Sequence, residues 1–237
     1  MEEKLSGIVV GRTDFSENDK ILKIFTLEKG MVSAKIKGVK KAGAKLKFAA
    51  EPFCFSEYVF SLNGEKRTVI GASLIESFYV IRQDILKFFC ASAIIEYVRK
   101  FMQEGIVSEK LFALTVNVLK ELAYGDSGGK CVTARYFLSA LTLSGYGLDF
   151  SGCANCGKEI KERVFFDALS GGFYCEDCRA DNVKEMSFLT YDILKRITEG
   201  EDFSDEVMDK PLKLIDYYVT HKADEKIKSF ASLLGKI

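Results

Sequence analysis

Residues 20–38 read KILKIFTLEKGMVSAKIKG, and this stretch decides what the first third of the chain becomes. β-Branched and aromatic residues crowd both arms, which suits two half-buried strands. Between them, Glu28-Lys29-Gly30 forms a tight connection, because Gly30 can take the positive φ that such turns often need. Moving outward, GIVVGR (7–12), FCFSEYVFSL (53–62) and RTVIGASLIES (67–77) have the same character and the same turn-type borders. Five strands between Leu5 and Ser77 point to a small barrel, with a longer loop between the third and fourth.

After residue 81 the period changes from two to 3.6. Ile94, Ile95, Val98, Phe101 and Met102 fall on one arc of a helix, with Glu96, Arg99, Lys100 and Gln103 opposite. Ser108 is placed to cap a second helix, whose stripe is Leu111, Leu114, Thr115, Val118 and Leu122 and whose end is Gly125. A third helix is expected over Val132–Ser144. Residues 150–182 then interrupt the pattern with cysteines, glycines and a strand candidate at Val164-Phe165-Phe166. Helical spacing returns over Phe188–Ile197, Pro211–His221 and Glu225–Leu234, with an acidic loop around Glu201–Asp209.

The 237 residues carry no formal net charge, but the charge is divided unevenly. Residues 1–50 hold 11 Lys and Arg against 6 Asp and Glu, and the remainder holds 23 against 28. A basic N-terminal part beside an acidic remainder suggests one surface that meets polyanions. No apolar run approaches the ~20 residues that span a bilayer, and MEEKLSGIVVGR lacks the basic start and apolar core of a signal peptide. The expectation is a cytoplasmic protein with no membrane partner and reduced thiols.

Cys153-Ala-Asn-Cys156-Gly157 and Cys175-Glu-Asp-Cys178 are two C-x2-C pairs separated by eighteen residues. A two-residue spacer lets one turn of backbone present two thiolates to one metal, and two such turns complete a tetrahedral shell around Zn2+. With four thiolates, no coordination position is left for an activated water, so the site is expected to be structural and not catalytic. Four unrelated buried cysteines, or a redox pair, are the alternatives. Cys54, Cys90 and Cys131 stand singly in apolar contexts and are assigned to packing; His221, which has no histidine partner, is assigned to a helix end or to packing in preference to a ligand role.

Six lysines and no acid lie between residues 35 and 47: Lys35, Lys37, Lys40, Lys41, Lys45 and Lys47. They span the end of one strand and the long loop that follows, where oligonucleotide-binding barrels place backbone contacts. Together with Arg12 they form the candidate DNA-binding set. Lysine is a point charge suited to phosphate contact and not to base reading. Phe15, Phe48, Phe53 and Tyr58 are candidates for base stacking. Asp14, Glu17 and Asp19 suit turn and capping roles better than cation binding. No nucleotide-binding, metalloprotease or nucleophile-elbow motif is present, so the chain is not read as an enzyme.

In order and spacing, Gly7-Ile8-Val9, the segment Asp14 to Lys20, Phe25-Thr26, Gly30, Lys37-Gly38, Arg135-Tyr136-Phe137, Leu141, Gly145 to Leu148, Cys153 to Gly157, and Lys228-Ser229 with Leu233 resemble the RecO family over essentially the whole chain. The resemblance implies an α+β multidomain protein. Residues 1–80 would form a five-stranded OB-fold barrel, and residues 81–150 with 183–237 an all-helical domain. Residues 151–182 would be an inserted four-cysteine zinc module. It further implies a bacterial mediator of DNA repair and homologous recombination, nucleoid-associated during repair. Such a protein binds single-stranded DNA, and double-stranded DNA more weakly, and anneals complementary strands. With RecR it helps load recombinase onto DNA coated by single-stranded DNA-binding protein, whose C-terminal tail it engages. Two departures stand out: lysines replace the arginines common after Lys37-Gly38, and Gly147 replaces a common proline. The competing expectation is a protein-interaction adaptor with a structural zinc module and no direct DNA binding.

Overall fold

The computed structural model describes residues 1–179, 183–223 and 226–235. The chain divides into two compact units, Met1–Tyr124 and Gly125–Ile237. In the first, β1 (Glu2–Asp14), β2 (Lys20–Thr26), β3 (Gly30–Ile36), β4 (Phe55–Asn63) and β5 (Lys66–Glu76) close a barrel in the order β1-β2-β3-β5-β4. Only the β3–β5 pair is parallel. Closure leaves no strand edge open along the barrel.

Strand alternation turns Leu22, Ile24, Val32, Ala34 and Ile36 inward, where they meet Leu5, Val9, Tyr58, Phe60 and Val69. The loop from β3 to β4 contributes to the same core. Its short 3-10 turn, Phe48–Ala50, buries Ala49 and Ala50, and the Tyr58 hydroxyl donates to the Ala49 carbonyl at 2.9 Å. Gly30 takes φ +64° between β2 and β3, and a Cβ there would lie 2.0 Å from the Ile106 carbonyl oxygen. Both the turn and the close backbone approach therefore require glycine.

Two helices belong to this first unit, α1 (Ile85–Phe101) and α2 (Glu109–Tyr124). Phe112 of α2 places its ring 5.4 Å from Phe25 and 5.8 Å from Phe55, covering the outside of the barrel. Asp84 caps α1 by accepting from the Leu86 and Lys87 amides at 2.8 and 3.0 Å, and Ser108 caps α2 by accepting from Leu111 at 3.4 Å. One helical expectation is corrected. Glu96, assigned from spacing to a polar face, is 7 % exposed, because α1 is covered well beyond one arc by the burial of Cys90, Ala91, Ala93, Ile94, Tyr97 and Val98. Its charge is tolerated there because Lys100 and Arg99 approach it at 3.8 and 4.0 Å.

The second unit contains α3 (Gly129–Leu143), α4 (Phe188–Thr198), α5 (Asp209–Ala223) and α6 (Lys228–Leu233). The expected start of the last helix, Glu225, lies outside the described residues. The acidic loop is tied to α3: Asp205 accepts from the Lys130 amide at 2.8 Å, and Asp202 accepts from Ser127 at 2.9 Å and pairs with Arg135. A three-stranded sheet, ordered β7-β6-β8, is formed by β6 (Val164–Asp167), β7 (Gly172–Tyr174) and β8 (Lys184–Met186). Ring contacts of Phe173 with Tyr191 at 4.9 Å and Phe166 with Tyr218 at 5.7 Å fasten this sheet to α4 and α5. No helix among the described residues is long and apolar enough to cross a membrane.

Candidate metal centre and nucleic-acid interface

The sulfur atoms of Cys153, Cys156, Cys175 and Cys178 all lie within 4.8 Å of one another. Cys156 and Cys175 approach to 3.9 Å, close to the edge of about 3.8 Å expected for a tetrahedron with metal–sulfur bonds of about 2.3 Å. The first pair sits in a tight knuckle: the Gly157 amide returns to the Cys153 carbonyl at 2.8 Å, and the Cys153 amide donates to Lys158 at 2.8 Å. Gly157 makes this turn at φ +70°. The Ala154 amide donates to Phe173 of β7 at 2.7 Å, and β7 leads directly to Cys175. One strand thus carries the second pair to the first, and the cluster is suited to hold a metal ion.

The thiols are electrostatically unequal. Burial opposes ionisation of Cys153, yet the backbone amides of Cys156, Cys175 and Asn155 face its sulfur and hold the thiol down at about 6. Burial and the neighbouring sulfurs push Cys175 up to about 12. Cys178 is also raised: the Asn155 side chain lowers it, but the Cys156 sulfur and burial prevail. Several thiolates at this separation repel one another, and a bound cation removes that penalty. Outside the cluster, Arg163 binds Glu185 of β8 at 2.8 Å and also pairs with Glu176, bracing the segment between the second pair's cysteines. No sequence spacing marked Arg163 for this role.

The candidate DNA-binding residues fall into two groups. Arg12 donates to the Ala50 carbonyl at 3.2 Å and meets Glu51 at 3.2 Å, so it latches the 3-10 turn to β1. Lys35 is held by Asp19 at 2.8 Å, and Lys40 by Asp14 at 2.9 Å. Lys37, Lys41, Lys45 and Lys47 are exposed, and among the described residues none of them pairs with a carboxylate. Lys37 and Lys41 line a shallow recess of about 550 Å³ together with Gly38 and the β1–β2 loop residues 16–19.

The acids of the β1–β2 loop work as staples. Asp19 accepts from the Gly38 amide at 2.8 Å, and Lys35, that amide and Ser16 hold its carboxyl at about 2. Hydrogen bonds from Lys40 and Lys20 lower Asp14 as well. The aromatic candidates separate by burial: Phe53 and Tyr58 are fully buried, Phe48 packs on the barrel core, and Phe15 is 59 % exposed with Lys35 over its ring at 4.5 Å. Cys54, Cys90 and Cys131 are buried. His221, in the last turn of α5, donates from Nδ1 to the Tyr217 carbonyl at 2.8 Å.

Comparison with known proteins matches both parts of the chain. The family model described as recombination protein O N terminal matches residues 1–78, and that described as recombination protein O C terminal matches residues 82–231. A DNA repair protein RecO from Desulforamulus reducens is 30 % identical over 236 residues, covering 95 % of this chain and 91 % of its own length. One from Caldicellulosiruptor saccharolyticus is 32 % identical over 184 residues, covering 78 % and 75 %. One from Pelotomaculum thermopropionicum is 28 % identical and covers 97 % and 93 %. With the closed barrel, the helical region and the four-cysteine cluster all in place, the chain belongs to the RecO family of DNA repair proteins.

Proposed function

We propose that this chain is a recombination mediator that binds single-stranded DNA, binds duplex DNA more weakly, and anneals complementary strands. The observation that carries this reading is the loop after β3, where Lys37, Lys41, Lys45 and Lys47 stand exposed with no carboxylate on them among the described residues. Phosphates meeting these lysines release condensed counterions, a gain that does not depend on base identity. Phe15, which has Lys35 over its ring, offers a stacking surface that an unpaired base can use and a paired one cannot. Neutralising phosphates on two strands lowers the repulsion that slows their pairing.

In this reading residues 1–80 form the nucleic-acid-binding barrel. Residues 81–150 with 183–237 form the helical body that receives RecR and the C-terminal tail of single-stranded DNA-binding protein, so that recombinase is loaded onto the coated strand. Residues 151–182 form the zinc module. Zn2+ suits four soft thiolates in a closed shell, where it supplies folding free energy and no reactive position. The reading assigns no catalytic step, and it places the protein in the cytoplasm, at the nucleoid during repair. Anisotropy titration of a labelled mixed-sequence oligonucleotide across a salt series tests it. Tight, sequence-tolerant, salt-sensitive binding is expected; no binding at low salt would instead favour a protein adaptor.

A further inference from the structure

We infer that Lys23 and Arg99 form a second phosphate-binding pair on the outer wall of the barrel, extending the DNA path from the lysine loop across Gly11 to α1. The inference rests on the DNA-binding reading above. Lys23 lies between the inward-facing Leu22 and Ile24 and so stands on the outside of β2, exposed and, among the described residues, without a carboxylate partner. Opposite it in the β1–β2 register is Gly11. A Cβ built on Gly11 would lie 3.2 Å from Arg99 Cδ and 3.5 Å from Lys23 Cβ. Barrel and helix therefore bring two cations together over a residue with no side chain.

Glu96 approaches Arg99 only at 4.0 Å, and its carboxylate is shared with Lys100 at 3.8 Å. Two cations rising from either side of Gly11, one without a carboxylate and the other paired only at 4.0 Å, favour an anion between them. Gly11 leaves a flat floor between them, and any larger residue would raise a wall there. The pair also continues an existing line. Lys23 faces Ser33 on β3, and Lys35 lies two residues further along the same outer face, a diagonal step of about 7–8 Å between strands. Lys35 covers the exposed ring of Phe15, and Lys37 follows it at the start of the lysine loop. A single strand laid on this diagonal would meet phosphate contacts at the helix, at β2 and at the loop, and a stacking ring between the last two.

The test is the salt dependence of single-stranded DNA binding by the full chain, wild type against K23Q/R99Q, K41Q/K45Q and the charge-keeping K23R/R99K. Two lost phosphate contacts flatten the log–log slope by about 1.4 at roughly 0.7 per contact on single strands. The inference expects that loss in K23Q/R99Q, measured below that variant's melting temperature, and a near-wild-type slope in K23R/R99K, which keeps a cation beside Glu96. An unchanged slope in K23Q/R99Q alongside a flattened one in K41Q/K45Q overturns the second pair and leaves the lysine loop standing. Wild type that binds without salt dependence, or not at all, overturns both.

Discussion

Cys156 Sγ lies 3.9 Å from Cys175 Sγ although the two residues are 19 positions apart. The first knuckle is tied to β7 by the hydrogen bond from the Ala154 amide to the Phe173 carbonyl, and aromatic contacts fasten that sheet to α4 and α5. The polypeptide therefore gathers the thiols, and a bound metal ion would remove the repulsion among them.

Cys153→Ala or Cys175→Ala is expected to abolish zinc binding, from one ion per chain to none by elemental analysis. At about 2–4 °C per kcal/mol for a chain of this size, losing several kcal/mol of metal-linked stability lowers the melting temperature by roughly 10 °C. Retained stoichiometry in both variants would contradict the four-cysteine assignment.

The Asp19–Gly38 staple has a pH signature. Asp19 is held at about 2, below its ordinary 3.8, so its contribution to loop order is complete above the ordinary value. It is lost as pH falls through about 2. The Gly38 amide resonance should follow this titration, since that amide donates to Asp19 at 2.8 Å. A midpoint near 4 would show the staple absent in solution.

Asp14→Asn removes the carboxylate that holds Lys40 at 2.9 Å and Lys20 at 3.4 Å. Both lysines become available to phosphate. The salt slope for single-stranded DNA should steepen by up to about 1.4, with tighter binding at low salt. Weaker binding would mean that the staple positions the loop more than it competes with DNA.

Gly30→Ala tests the barrel turn. The new methyl would lie 2.0 Å from the Ile106 carbonyl oxygen at a backbone of φ +64°. The backbone conformation alone costs about 1–3 kcal/mol, and relief of the clash adds to it. Urea denaturation should show the loss; a change under about 0.5 kcal/mol would contradict the close approach.

Much of the fold was legible because the barrel strands bury one face each, and the cysteine spacing states its own geometry. What stayed hidden depended on distant residues. Glu96 reads as a surface charge until the helix carrying it is covered on several sides. Strands β7 and β8 are three residues each, too short for alternation to show. Arg12, Lys35 and Lys40 look alike in a list of cations, yet Glu51, Asp19 and Asp14 occupy them across 39, 16 and 26 positions. Phe15 differs from Phe53 and Tyr58 only in exposure, which packing decides.

The central claim is that the exposed lysines of the loop after β3 carry single strands toward pairing. The most direct measurement is the annealing rate of two complementary labelled oligonucleotides with wild type and with Lys37, Lys41, Lys45 and Lys47 all changed to Gln. Wild type should speed annealing well above the spontaneous rate, and the variant should fall back toward that rate with its zinc content and melting temperature intact. Equal acceleration by both proteins would contradict the claim.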